Sequence, residues 1–243
     1  MKALITGASS GIGYELAKIM HEKGHELVLV ARRKDRLEAI KKELNCEIIV
    51  ADLTKDKDID MVFKKAKDID ILVNNAGFGL NGKFIETELE REFEMIDLNI
   101  KALVKLSKLY SKEMVKRKKG KIMNVASVAA YLPGPYMNVY FASKAFVLSF
   151  SQALSAELLG TGVTVTALCP GMTKTEFDKV AEIKSNHFKY GMSAQKVAML
   201  GYNSMMKGKR VEITGTMNKL SICMRKVMPT SLLLLVMKKL QSV

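Results

Sequence analysis

The chain has 243 residues, 48% of them hydrophobic and 26% charged, which suits one α/β domain with a full core rather than a disordered or fibrous protein. Its net charge is +14, but the cations are 32 Lys and only 7 Arg, a balance that favours solvated lysine faces over base readout by Arg forks and argues against a nucleic-acid partner. Three scattered cysteines, Cys46, Cys169 and Cys223, exclude a disulfide framework and a C-x-x-C metal pair, no apolar run nears the roughly 18–20 residues of a membrane span, and a β-like run from residue 2 leaves no room for a leader, so a reducing, cytoplasmic setting is expected.

Lys2–Ile5 is that first β-like run, and Tyr14–Met20 carries apolar residues at helical spacing. Between them lies Thr6-Gly7-Ala8-Ser9-Ser10-Gly11-Ile12-Gly13. Glycines let a backbone turn sharply and approach a ligand, and the N–H groups and dipole of a helix start attract a diphosphate. The spacing is G-x-x-x-G-x-G, and a tight βα turn without a ligand is the alternative at this point.

Residues 26–31 predict a second strand, followed by Arg32-Arg33 and a helix over 34–44. A third strand, 46–51, ends in Asp52-Leu53-Thr54, and a helix covers 56–67. The strand 69–73 ends in Asn74-Asn75-Ala76-Gly77, and 86–118 reads as one or two long helices. Strand 121–126, helix 138–159, strand 163–168 closed by Pro170-Gly171, helix 193–207 capped by Ser193, and a last strand within 209–214 complete the pattern. Alternating strands and helices, with strands that are continuous Val/Ile/Leu runs, imply a parallel sheet covered on both faces. Ligands should then gather at the strands' carboxyl ends, where Thr6, Arg32, Asp52, Asn74, Ser127 and Pro170 fall.

Tyr140 and Lys144 stand four residues apart, on one helix face. An unperturbed Tyr titrates near 10, and a neighbouring cation lowers that value, which makes a phenol able to exchange a proton with an alcohol oxygen. The spacing alone says little: with seven Tyr and 32 Lys about one such pair is expected by chance, and Tyr14/Lys18 is a second copy that reads as an ordinary surface pair. The company of Tyr140 is what distinguishes it. Ser127 ends a strand 13 residues earlier, and Pro170-Gly171 ends the next. His21, His25 and His187 have no ligand spacing and are expected on the surface; no metal site is expected, and Cys169 reads as a small strand-end residue.

Taken together, Thr6-Gly7-x-x-x-Gly11-x-Gly13, Asn74-Asn75-Ala76-Gly77, Asn99, Ser127, Tyr140-x-x-x-Lys144 and Pro170-Gly171 resemble the short-chain dehydrogenase/reductase family, in its order and spacing, over residues 1 to about 215. The resemblance implies a single Rossmann-type, doubly wound α/β domain and hydride transfer between a nicotinamide cofactor and a carbonyl or secondary alcohol. It implies Tyr140 as general acid/base, Lys144 as the group that tunes it and holds the nicotinamide ribose, Ser127 as donor to the substrate oxygen, and Asn99 as the holder of a water in the proton path. It places Gly7, Ser9, Ser10, Gly11, Ile12 and Gly13 against the cofactor's phosphates. It places Asp52 and Leu53 against adenine and Asn74 on the ribose side, counts Asn75, Ala76, Gly77, Pro170 and Gly171 among the cofactor-binding residues, and brings Thr173 to the nicotinamide amide, Thr175 being the weaker candidate there. A member that binds the cofactor without turnover, as a regulatory or scaffold protein, is the alternative.

Cofactor choice follows from charge. An NAD site needs a carboxylate at the end of the second strand, but Ala31, Arg32 and Arg33 stand there, and two guanidinium groups suit a 2′-phosphate. NADP(H) is therefore expected. The substrate pocket should lie beside Tyr140, under 131–136 and 172–190, with Tyr131, Tyr136, Met137, Met172, Phe177 and Phe188 making it apolar enough for 3-oxoacyl, steroid-like or other ketones. Residues 216–243 form an extension expected to be helical and to pack on the cleft or a subunit partner, a peripheral membrane contact being the other reading. The helices at 86–118 and 138–159 are expected to pair copies of the chain into a homodimer or homotetramer.

Overall fold

The computed structural model describes residues 1–183, 191–225 and 228–241. Seven strands form one parallel sheet: β1 (Lys2–Thr6), β2 (Glu26–Ala31), β3 (Glu47–Val50), β4 (Ile71–Asn74), β5 (Gly120–Val125), β6 (Val163–Cys169) and β9 (Val211–Ile213), in the order β3-β2-β1-β4-β5-β6-β9. Two short strands, β7 (Thr173–Lys174) and β8 (Met192–Ser193), pair apart from it.

Alternate strand residues serve opposite layers. On one face Ala3, Ile5, Leu27 and Leu29 pack with Leu16, Leu37 and Val197, which belong to α1 (Gly11–Glu22), α2 (Lys34–Leu44) and α8 (Ala194–Met206). On the other face Leu4, Val28, Leu72 and Ile122 pack with Ile59, Leu106 and Tyr110, from α3 (Asp56–Lys65) and α5 (Leu103–Lys116). A strand buried on both faces must be apolar at every position, which is why these strands read as unbroken Val/Ile/Leu runs. The Ser193 hydroxyl caps α8 by accepting from the Lys196 N–H.

The long helical stretch is α4 (Leu89–Ile96), a wider π-turn over Asp97–Ala102, and α5. One extra residue per turn re-aims side chains, and here it turns Asn99 inward. Helix α6 (Asn138–Glu157) carries Tyr140 and Lys144. A four-residue helix α7 (Phe177–Val180) follows β7, and the chain ends in α9 (Thr216–Arg225) and α10 (Thr230–Gln241). Leu233 and Met237 of α10 bury against a cluster that holds Phe78, Leu80 and Phe141. No helix among the described residues is long and apolar enough to cross a membrane.

Two expectations about histidines and the surface pair differ in outcome. His25 is buried, not exposed, because its ring nitrogen Nε2 pairs with the Tyr202 hydroxyl at 3.0 Å between α1 and α8. Tyr14 and Lys18 do form a surface pair, the ammonium 4.7 Å from the ring centre, and the phenol donates to Glu43. His187 and Phe188 lie outside the described residues.

Candidate active site

A cavity of about 930 Å³ opens where the chain order reverses, between the carboxyl ends of β1 and β4. At one end it is lined by Gly7, Ser9, Ser10, Gly11 and Ile12 of the first turn. Gly7 has φ +65, and a Cβ there would stand 2.8 Å from the Ala76 Cα, so only glycine fits. Ser10 caps α1 without a side-chain bond to it, and the first turn of α1 holds no acidic residue. Its N–H groups and dipole are therefore available to an anion. Gly13 does not reach the cavity: a Cβ on it would meet the Gly7 carbonyl oxygen at 2.6 Å, so it supports the turn from beneath.

Thr6 ties this turn to the next strand end. Its hydroxyl donates to the Val73 carbonyl at 3.2 Å and accepts from the N–H groups of Asn75 and Ala76, both at 3.0 Å. The Asn75 amide donates back to the Thr6 carbonyl at 2.9 Å. This lacing holds Asn75, Ala76 and Gly77 on the cavity wall.

Two expected cofactor neighbours are not brought there. Asn74 is buried in a polar chain inside the fold: its amide donates to Ser107 at 3.0 Å and to Asn124 at 2.8 Å, and Asn124 donates to Ser151 at 2.9 Å. Its amide NH2 is thus committed to partners inside the fold, so the side chain faces inward rather than into the cavity. Asp52 turns its carboxylate to the Thr54 N–H and hydroxyl, at 3.2 and 2.9 Å, in a local turn, whereas Leu53 lines the cavity. Tyr131 and Tyr136 also miss the pocket wall: Tyr131 packs toward Cys169, and Tyr136 sits at φ +65 in a turn whose carbonyl accepts from Gly82. Met137, Met172 and Phe177 do line it.

At the other end Ser127, Tyr140 and Lys144 meet. The Ser127 hydroxyl caps the short turn Val128–Tyr131, accepting from the Ala129 N–H at 3.1 Å, donates to the Pro170 carbonyl at 3.4 Å, and lies close enough to the Tyr140 phenol to favour its ionised form. Lys144 Nζ donates to the Val125 carbonyl at 3.0 Å and stands 5.8 Å from the Tyr140 ring centre. Asn99 reaches the same region from below, its amide donating to the Phe78 carbonyl at 3.0 Å and to Ser143 at 3.1 Å. Pro170, Gly171 and Thr173 line the wall opposite.

The titration of this group corrects the simple expectation. Burial pushes Tyr140 up to about 12, with the Ser127 hydroxyl pulling the other way, and burial pushes Lys144 down to about 8. Desolvation outweighs pairing because the ammonium is aimed at a carbonyl, not at the phenol oxygen. Cys169, also buried, is pushed up to about 12, an unreactive thiol.

A stability test follows from Lys144. Its folded value, about 8, lies below the ordinary 10.5, so between those values the unfolded chain binds the extra proton and stability rises with pH. Below that window the buried charge costs about 3 kcal/mol, less about 1 kcal/mol for its bond to Val125. Lys144→Met should therefore be about 2 kcal/mol more stable than the parent at neutral pH and lack the rise with alkaline pH. Urea unfolding at several pH values measures this; a destabilised variant would contradict it.

Arg32 and Arg33 both line the cavity near the first turn, and there the structure adds a residue that sequence reasoning missed. Arg33 donates to Ser9 through Nε at 3.1 Å, to Ser10 through Nη2 at 2.7 Å, and to the Glu176 carboxylate through Nη1 at 2.9 Å. Arg36 Nη1 donates to both Glu176 oxygens at 2.8 Å. The two arginines hold the Glu176 carboxyl below the usual carboxylate range. Glu176 is 143 residues from Arg33 in a segment without regular periodicity, so no local pattern announces it.

A family model described as short chain dehydrogenase matches residues 1–186. An uncharacterized oxidoreductase of Staphylococcus epidermidis is 39% identical over 179 residues, covering 71% of this chain and 78% of that protein. A short-chain dehydrogenase from Sphingobium yanoikuyae, solved in complex with NADPH, superposes with a TM-score of 0.84 at 32% identity, covering 95% of this chain and 97% of the other. A bulky-bulky ketone specific alcohol dehydrogenase from Comamonas testosteroni gives a TM-score of 0.80 at 31% identity, with 93% and 92% covered.

Proposed function

The chain belongs to the short chain dehydrogenase family of oxidoreductases, and from that premise we propose that it catalyses NADP(H)-dependent interconversion of a carbonyl and a secondary alcohol on a mostly apolar substrate. The observation that carries the reading is one continuous cavity, with an uncapped helix start and two arginines at one end and the Ser127–Tyr140–Lys144 cluster at the other.

The residues present fit a dinucleotide. Gly7, Ser9, Ser10, Gly11 and Ile12 would hold its diphosphate, Arg32 and Arg33 a 2′-phosphate, Leu53 would face adenine, and Lys144 would hold the nicotinamide ribose. When bound, the reduced nicotinamide supplies hydride to the carbonyl carbon. Tyr140, protonated at neutral pH, donates its proton to the carbonyl oxygen as that oxygen gains charge. Ser127 donates a hydrogen bond to the same oxygen. Asn99, fixed by Phe78 and Ser143, positions the Tyr140 helix and the proton path behind it. The wall of Met137, Met172, Phe177, Val180 and Ile183 favours alkyl, acyl or ring-bearing ketones, and α10 closes that side through Leu233 and Met237. The NADPH complex of the Sphingobium relative and the ketone specificity of the Comamonas relative are in keeping with both choices.

The proposal extends to a homo-oligomer paired through α5 and α6, where a groove is lined by Ile100, Val104, Leu109 and Phe146 together with Lys101, Lys105 and Lys108. The central test is loss of reduced-nicotinamide absorbance against a panel of ketones and 3-oxoacyl thioesters. Binding of NADPH with no turnover on any member would favour a regulatory protein instead. Cofactor choice has its own test. Replacing Arg32 and Arg33 together by Ala should raise KM for NADPH about 10- to 100-fold, as expected for lost hydrogen bonds to a charged group, and leave NADH use nearly unchanged. An unchanged KM for NADPH would refute the assignment.

A further inference from the structure

After β6 the chain turns at Pro170-Gly171, runs through β7 and crosses the mouth of the cavity at 175–177. Three consecutive side chains there touch three parts of the site. The Thr175 methyl packs where a side chain on Gly11 would be, 3.1 Å from that Cβ position, so the segment rests on the first turn. Glu176 pairs with Arg33 and Arg36. The Phe177 ring lies 5.2 Å from the Tyr140 ring, centre to centre.

Arg33 is almost fully subscribed. Nε and Nη2 are committed to Ser9 and Ser10, which orient the guanidinium, so Nη1 is the edge left for an anion. That edge is held by the Glu176 carboxylate, which spans Arg33 and Arg36 as an external anion would. We propose that Glu176 is a specificity-determining residue: its carboxylate holds the anion position on Arg33 that a 2′-phosphate takes, so NADP(H) must displace it and NAD(H) need not. This rests on the assignment of Arg33 to the 2′-phosphate. Both partners are 40% exposed, so their pairing is weak enough for a dianion to displace.

The test is Glu176→Gln, which keeps the shape of the side chain and its contacts along the segment but removes the charge. Calorimetric titration with NADPH, NADH, adenosine 2′,5′-bisphosphate and 5′-AMP isolates the phosphate from the rest of the dinucleotide. NADPH and the bisphosphate should bind about two- to fivefold tighter to the variant, the factor an exposed ion pair is worth, with NADH and AMP unchanged. Unchanged or weaker NADPH binding would overturn the inference, as would an equal shift for all four probes, which marks a purely structural role. Arg33→Ala separates the layers. If it abolishes the preference for 2′-phosphate while Glu176→Gln moves nothing, only the role of Glu176 falls. If it leaves that preference intact, the assignment of Arg33 falls and the role of Glu176 with it.

Discussion

Tyr140→Phe should lower kcat/KM for ketone reduction by about 10²–10⁴-fold while NADPH binding stays close to that of the parent. The variant removes one oxygen from a buried ring on the cavity wall and leaves the ring's packing on Phe141 and Phe177 in place. What is lost is the phenol hydroxyl beside Ser127, and with it the proton that the carbonyl oxygen would receive. Because burial holds the phenol near 12, the parent carries this proton across the neutral range. Reduction should consequently stay flat through neutral pH and decline as Lys144, held near 8, loses its charge. Steady-state rates with the ketone panel, beside a fluorescence titration with NADPH, give both quantities. A variant with more than about a tenth of parental kcat/KM would remove Tyr140 from the chemistry, since a positioned acid contributes more than that.

The second large effect is expected at Ser127. Ser127→Ala should lower kcat about 10²–10³-fold, the usual consequence of deleting one donor aimed at a developing oxyanion, with a smaller change in KM. Ser127 has a second task, since its oxygen caps the turn Val128–Tyr131 through the Ala129 N–H. Loss of such a cap costs about 1 kcal/mol of stability, which denaturant unfolding would register separately from the rate. Ser127→Thr keeps a hydroxyl and should recover a substantial part of kcat as well as the cap. Equal activity of the Ala and Thr variants would mean that the hydroxyl adds nothing to the rate, and the donor role would fail.

Much of this architecture was legible in the residues. The runs 26–31 and 34–44 coincide with β2 and α2, because an apolar run and a helical stripe each bury a face that nothing else in the neighbourhood can bury. The first glycine turn was readable because φ +65 at Gly7 is a backbone requirement that only one residue type meets cheaply. Boundaries drifted where no local rule sets them. The strand expected over 69–73 is Ile71–Asn74, although Asp70 already bridges the neighbouring strands at the start of the ladder, its N–H donating to the Lys2 carbonyl and its carbonyl accepting from Lys121. The stretch 86–118 was visible as helix, but the π-turn that aims Asn99 inward was not, because one added residue leaves no mark in composition.

The residue types and their spacing settled the covalent inventory of the site: a phenol, an ammonium and a hydroxyl at strand and helix ends, and a turn that accepts only glycine. These are local facts, carried by backbone conformation and by periods of two and 3.6 residues. Their directions were another matter. Whether Asn74 faces a ligand or Ser107, whether Lys144 aims at the phenol or at the Val125 carbonyl, and whether Arg33 waits empty or holds Glu176 depend on groups tens to over a hundred residues away. Burial and partner choice arise from the packed layers, and desolvation, the largest influence on Tyr140 and Lys144, has no value until the chain is folded around them.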